Sequence, residues 1–166
     1  IYNLLNYNTI LHFGVKFIKI SCGIIILNEK KEILMGHVTG NKFFDIPKGL
    51  LEKNENPILC AIRECQEECG LEFKSEELKD LGVHKYNKEK DLHLFLISVK
   101  KEDINMNDLV CNSFFEHYYT KKIVPEVDSF DWIDIQDVTV KCAKSMGKLL
   151  TILEPEIINN KKGLKP

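Results

Sequence analysis

The dipeptide Asn56-Pro57 and, thirteen residues later, Gly70 bracket the stretch PILCAIRECQEEC. Asn is a favoured N-cap, Pro is preorganised for the first helical position, and Gly is the usual residue just past a helix end. The bracket predicts a helix over residues 57–69. Ile58, Ile62, Cys65 and Cys69 recur at helical spacing and give its expected core stripe. Glu64, Glu67 and Glu68 stand at i, i+3 and i, i+4, so they share the side expected to lie opposite that stripe. A solvated acidic face is the plain reading, but it is strained here. Like charges at this spacing cost roughly 0.2–0.5 kcal/mol per pair. No Lys stands in the last two turns to offset them, and the C-terminal half of a helix dipole disfavours anions. Three carboxylates kept in that position point to a bound cation. Oxygen donors without Cys or His fit Mg²⁺, or Mn²⁺.

The chain has 23 Lys and Arg residues, and Arg63 is the one Arg among them. Its planar fork can hold a carboxylate bidentately, which Lys cannot do. Glu67 at i+4 and Glu55 in the preceding loop are the candidate partners. A chance placement of the single Arg is the alternative.

Residues 18–27 are β-branched and apolar and read as a central strand. Residues 32–38 return as its hairpin partner after a polar turn. Residues 42–46 read as a short strand stopped by Pro47, and residues 47–56 as a polar loop. Two more strands, 81–86 and 92–99, flank the turn NKEKD. Residues 130–135 give another strand, and Val138, Cys142, Leu149 and Leu153 mark one C-terminal helix weakened in its middle by Gly147. Residues 103–119 show no clear element. Strands with two separated helices predict an α/β fold, with one sheet covered on both faces.

With 166 residues, one domain is expected. A formal net charge of -2 gives no basic field for nucleic acid. The six cysteines show no CxxC spacing and read as reduced thiols in the core, which suits a reducing, cytoplasmic setting. No apolar run approaches the ~20 residues of a membrane span. Residues 1–16, broken by Asn and without a basic start, make a poor signal peptide and are taken as an N-terminal extension. Residues 17–155 are the expected domain and 156–166 a flexible tail.

Gly49, then Glu55, then the run Arg63-Glu64-Cys65-Gln66-Glu67-Glu68-Cys69-Gly70-Leu71 resembles the signature box of the Nudix hydrolase superfamily, matching every fixed Gly, Glu and Arg. Cys65 departs from the aliphatic residue usual there. The resemblance extends over roughly residues 18–153. In PEVDSFDW, Glu126 stands six residues before Trp132, where many MutT-like members carry an extra Glu. Glu116 and Asp128 are its rivals.

The resemblance implies a Nudix-like α/β/α sandwich with a mixed β-sheet between helices. It implies Mg²⁺-dependent (or Mn²⁺-dependent) cleavage of the pyrophosphate bond of a nucleoside diphosphate linked to another moiety. ADP-ribose, a dinucleoside polyphosphate and a (d)NTP are the candidate substrates. By the same resemblance Glu64 and Glu68 ligate metal, with Glu67 as ligand or close support and the Gly49 carbonyl as a further ligand. Glu67 and Glu126 are the candidate catalytic carboxylates, and Arg63 with Glu55 braces the loop against the helix. Lys48 is a candidate for substrate phosphate. Phe43 and Phe44 pack in the core or line a base-stacking wall, with Phe44 carried as the substrate contact. Tyr86 stands near a Tyr of diadenosine polyphosphate hydrolases. The expected partner is a small nucleotide, with no nucleic acid or membrane, and a homodimer is compatible. The alternative is a non-catalytic Nudix-fold module binding a nucleotide or a protein; such modules lack box carboxylates that are complete here. An RNA-processing pyrophosphatase is a further rival, disfavoured by the missing basic patch.

Overall fold

A computed structural model of the chain describes residues 18–160. The extension expected over 1–16 and the end of the expected tail, 161–166, lie outside the described residues.

The apolar run forms β1 (Lys19–Asn28), which pairs along its whole length with β6 (Lys90–Val99) in parallel register. The other edge of β1 is divided. At the hairpin end Leu27 faces Ile33 of β2 (Glu32–Val38). At the far end Ser21, Cys22 and Gly23 face Leu50, Gly49 and Lys48 of β4 (Lys48–Leu50), which runs antiparallel. Residues 47–56 are therefore not all loop. A strand this short carries no periodicity, and its hydrogen bonds to β1 form it.

Freed from β1, β2 pairs with β3 (Phe44–Asp45) and with β9 (Val127–Asp134). On the opposite side β5 (Lys79–Lys85) closes the edge against β6. The sheet is thus mixed, in the order β3-β2-β1-β6-β5.

Period-2 alternation along β1 sends Ile24 and Ile26 to one face, and Ile25 and Leu27 to the other. The first face packs on α1 (Pro57–Cys69) through Cys60, Ala61, Cys65 and Cys69. The second packs on α2 (Val138–Lys141) and α3 (Lys144–Ile158) through Val138, Met146, Leu150 and Leu153. The layers are α/β/α, as the alternating pattern requires.

Helix α1 has the expected ends. The Asn56 side chain accepts from Ile58 N–H at 3.1 Å, and Gly70 closes the helix at φ 74°. Its stripe is rotated from the expected one: Ile58 and Ile62 lie at the margin, partly buried, with Cys60 and Ala61 in the centre. All six cysteines are free and buried, so Cys65 serves here as a small apolar residue at full burial.

The C-terminal helix is two helices, not one. The chain extends at Cys142 and restarts after Ala143. Gly147 lies inside α3 without breaking it and lets α3 cross α2 closely. A Cβ there would lie 2.7 Å from the Val138 carbonyl oxygen. α3 runs to Ile158 with Ile157 fully buried, so the tail does not begin at 156. In the stretch without a clear element, β7 (Phe114–Glu116) pairs with β8 (Ile123–Pro125) as a separate two-stranded ribbon. Among the described residues no helix is long and apolar enough to cross a membrane.

Candidate active site

The site lies where β1 and β2 part, with β4 and the C-terminal half of α1 forming one wall. Rungs from Ile24 N–H to the Pro47 carbonyl (3.2 Å) and from Leu51 N–H to the Ile20 carbonyl (2.9 Å) pin β4 to β1 on either side of Gly49. By the alternation of an antiparallel ladder, Gly49 also turns its polar groups toward β1, and its carbonyl takes a long contact from the Cys60 thiol at 3.9 Å. The absence of a side chain at Gly49 is used by Glu64, since a Cβ there would overlap the Glu64 carboxylate.

Arg63 holds this wall together. Its Nε donates to Glu55 Oε1 at 2.9 Å and its Nη2 to Glu55 Oε2 at 3.0 Å, the bidentate fork expected of an Arg. Nη1 donates to Glu64 Oε1 at 2.6 Å and, more weakly, to Glu67 Oε2 at 3.4 Å. Nη2 also reaches the Leu50 carbonyl at 3.3 Å. Glu55 takes a further bond from Glu52 N–H at 3.0 Å. The Arg63 hydrogen bonds hold the Glu55 carboxyl down to about 2.

Two of the three box carboxylates do not lie opposite the core. Glu64 and Glu68 lie at the edge of the buried stripe, under β4, and their burial follows from that rotation. Glu68 accepts from Lys48 N–H at 3.1 Å. Burial, with Glu126 and Glu64 adding to it, pushes Glu68 up to about 8 despite the opposing pull of Lys48. Burial also raises Glu64, against the lowering pull of Arg63. Glu67 is the exposed member, with 46% of its side chain accessible.

Beside this wall opens a cleft of about 360 Å³ whose lining includes Phe43, Asp45, Lys48, Glu68, Phe115 and Glu126. Of the three downstream carboxylates, Glu126 is the one that lines it. Glu116 pairs with Lys121 at 3.4 Å on the ribbon, and Asp128 accepts from His37 at 2.7 Å. The Glu126 main chain is fixed on both sides, donating to the Ser113 carbonyl at 2.9 Å and accepting from Thr39 N–H at 3.0 Å.

The three expected substrate contacts fall in different places. Lys48 lines the cleft, but its ammonium is held by Asp45 at 2.7 Å. Burial pulls that ammonium down, and the Asp45 carboxylate outweighs it, so Lys48 stays above the usual lysine range. Phe44 packs on the apolar layer under α3 with its edge to His37, and its neighbour Phe43 faces the cleft. Tyr86 also packs on that layer, half-buried, and does not line the cleft. For Phe43 and Phe44, alternation into β3, which a two-residue strand hides, decides which ring faces the cleft. Asp45 and Phe115 are cleft residues that sequence reasoning did not single out.

Among the described residues no three His, Cys, Asp or Glu side chains already converge as a metal cage. The donors nonetheless suit a hard divalent cation. They are carboxylate oxygens plus one backbone carbonyl, the Glu68 carboxyl is buried, and the space beside Gly49 is occupied by a carboxylate that a Cβ would displace.

Residues 18–150 match the family described as NUDIX domain. Over 125 residues the chain is 38% identical to an uncharacterized 17.7 kDa protein in the e-segB intergenic region of Enterobacteria phage T4, covering 70% of this chain and 82% of that one. It is 28% identical over 131 residues to the mRNA-decapping enzyme subunit 2 of Saccharomyces cerevisiae, covering 78% of this chain but 12% of that far longer protein. The fold matches that of a C. elegans Ap4A hydrolase in a binary complex, with a TM-score of 0.60 at 19% identity over 84% of this chain and 99% of that one. It also matches a bifunctional NMN adenylyltransferase/ADP ribose pyrophosphatase from Francisella tularensis, complexed with AMP and Mn ion, with a TM-score of 0.57 at 16% identity over 87% of this chain and 43% of that one. With its box on α1 and β4 and its sheet between two helical layers, the chain belongs to the Nudix hydrolase family.

Proposed function

We propose that this chain hydrolyses the pyrophosphate bond of a nucleoside diphosphate linked to a second group, with Mg²⁺ or Mn²⁺ as cofactor. The observation that carries the proposal is the acidic wall of α1. Glu64 and Glu68 are tucked under β4 beside Gly49, and Glu126 shares the cleft with Glu68. A polyanionic substrate would be repelled by these carboxylates unless a cation inverted the local charge. Glu64, Glu68 and the Gly49 carbonyl would hold that cation, with Glu67 or Glu126 completing the set. The bound metal would neutralise charge on the phosphoryl oxygens and make a bound water more acidic.

The remaining work belongs to the chain. Arg63 fixes Glu64 and locks Glu55, and through Glu55 it sets the β4–α1 loop against the helix. Glu126, on a main chain bonded on both sides, is held at the cleft as a candidate general base for the attacking water, with Glu67 as the alternative base. Such a base is worth about 10²–10⁴ in rate. Phe43 offers an apolar wall for a nucleobase. Lys48 can meet phosphate oxygens by exchanging its Asp45 partner.

The Ap4A hydrolase, ADP-ribose pyrophosphatase and decapping relatives support three substrate classes: dinucleoside polyphosphates, ADP-ribose and capped RNA ends. A panel of diadenosine tetraphosphate, ADP-ribose, (d)NTPs and capped RNA, each assayed with Mg²⁺ and with EDTA, tests the reading. Product release with Mg²⁺ and none with EDTA supports hydrolysis. Tight binding without turnover of any of them would instead make the chain a binding module.

A further inference from the structure

The β7–β8 ribbon displays large rings to solvent. Tyr118 and Tyr119 at its tip are 76% and 86% exposed, and the ribbon pairs with no strand but itself. Exposed aromatic clusters on a soluble chain mark interaction sites. These rings follow one another as neighbours. Phe115, in the cleft wall, lies 6.4 Å from His117 between ring centroids. His117 lies 6.2 Å from Tyr119, and Tyr119 meets Tyr118 edge-on at 5.1 Å. The Lys121 ammonium sits 5.1 Å from the Tyr118 ring centre. The track thus begins inside the candidate active site, shares the cleft with Phe43, and ends at the ribbon tip.

The ribbon is held in this position. Glu126, the residue after β8, bonds back to Ser113 and is bonded in turn by Thr39. His117 lies beside Gly40 in the turn between β2 and β3, close enough that a Cβ on Gly40 would touch its ring. The aromatic track therefore keeps its bearing on the cleft.

We infer that the track from Phe115 to Tyr118 and Tyr119 is a second nucleobase site, which makes dinucleoside polyphosphates the substrate class; this rests on the hydrolase reading above. One base stacks between Phe43 and Phe115, the phosphates meet the acidic wall, and the second base stacks on the tyrosines. Every nucleobase has a π face, so such rings select for a second base without reading which base it is. A short two-base ligand fits better than an RNA strand. The track is four rings long, its nearby Lys121 shares its charge with Glu116 at 3.4 Å, and the chain carries a net charge of -2. A strand would need a basic groove that follows its phosphates.

The test compares diadenosine tetraphosphate with adenosine tetraphosphate, which lacks the second nucleoside and ends in a free phosphate instead. With Mg²⁺, Tyr118→Ala/Tyr119→Ala should raise KM for diadenosine tetraphosphate about tenfold at unchanged kcat, with KM for adenosine tetraphosphate within about twofold of wild type. Phe115→Ala should raise KM for both. Both tyrosines are exposed, so the melting temperature of the double variant should match wild type. An unchanged KM for diadenosine tetraphosphate, or equal rises for the two nucleotides, overturns the second site. So does loss of inhibition by a 5′-triphosphorylated decamer RNA with diadenosine tetraphosphate kinetics unaltered, which would assign the track to nucleic acid. If wild type hydrolyses ADP-ribose, a (d)NTP or capped RNA but neither of these two nucleotides, the dinucleoside inference is overturned; if it hydrolyses nothing on that panel, the hydrolase reading fails on its own. The ribbon is then judged by calorimetry, where the double variant must bind diadenosine tetraphosphate about tenfold more weakly.

Discussion

Replacing Arg63 by Lys keeps the charge and removes the fork, and the structure sets what that costs. The guanidinium makes five contacts to oxygen: two to Glu55, one each to Glu64 and Glu67, and one to the Leu50 carbonyl. An ammonium is a single point and cannot meet Glu55 and Glu64 from opposite sides, so at least two charge-assisted bonds go. At ~1.5–3 kcal/mol each, and discounted because 28% of the Arg63 side chain is accessible, the loss is about 2–4 kcal/mol. For a chain of this size that is a fall in Tm of about 5–12 °C. Calorimetry at pH 7 reads it directly. A second reading comes from acid. Glu55 is held down to about 2, so its stabilisation is present above the ordinary carboxylate range near ~4.3 and is lost as pH falls toward about 2. Arg63→Lys should flatten that acid limb. A Tm within a degree of wild type, with an unchanged acid limb, would refute the claim that the fork braces the loop.

In Glu68→Gln the fold should persist and the pH response should change. Burial raises Glu68 to about 8, so its protonated form stabilises the fold fully below the ordinary carboxylate range, and that stabilisation is lost as pH rises through about 8. In EDTA, wild-type Tm should fall between pH 5 and 8 more steeply than that of the variant; parallel curves contradict the burial argument. Gly49→Ala pushes on the flexible end of Glu64, not on backbone. Steady-state kinetics should therefore show kcat/KM reduced at least tenfold while Tm changes little, and the reverse pattern would make Gly49 a folding residue alone. Gly147→Ala drives a Cβ against the Val138 carbonyl. Urea denaturation should show a loss of about 1–3 kcal/mol despite the better helix propensity of Ala, and a gain would mean α2 and α3 can move apart.

What the chain revealed before folding follows from where local signals are strong. Helix α1 is delimited by its own caps, and β1 by a run of Ile that both faces bury, so both were legible. The pairing of Arg63 with Glu55 was legible because a lone fork among lysines has few uses. The orientation of Glu64 and Glu68 was not. Cys60 and Ala61 read as weakly apolar beside Ile, yet they form the buried centre and swing the carboxylates to its margin. Strand β4 was hidden because it exists through its pairing with β1. Phe43 and Phe44 could not be assigned to faces without knowing where β3 begins, and the ribbon's aromatic residues carry no burial pattern because most of them are exposed. The break at Cys142 has no Pro or Gly to announce it.

The central claim is that the acidic wall of α1 binds the divalent cation that makes hydrolysis possible. Turnover of diadenosine tetraphosphate measured across a Mg²⁺ titration, for wild type and Glu68→Gln side by side, tests it most directly. Wild type should rise from no activity in EDTA to a plateau, and Glu68→Gln should stay at least a hundredfold below that plateau at every Mg²⁺ concentration with its Tm intact. A wild-type plateau and an unshifted Mg²⁺ midpoint in Glu68→Gln would contradict the account.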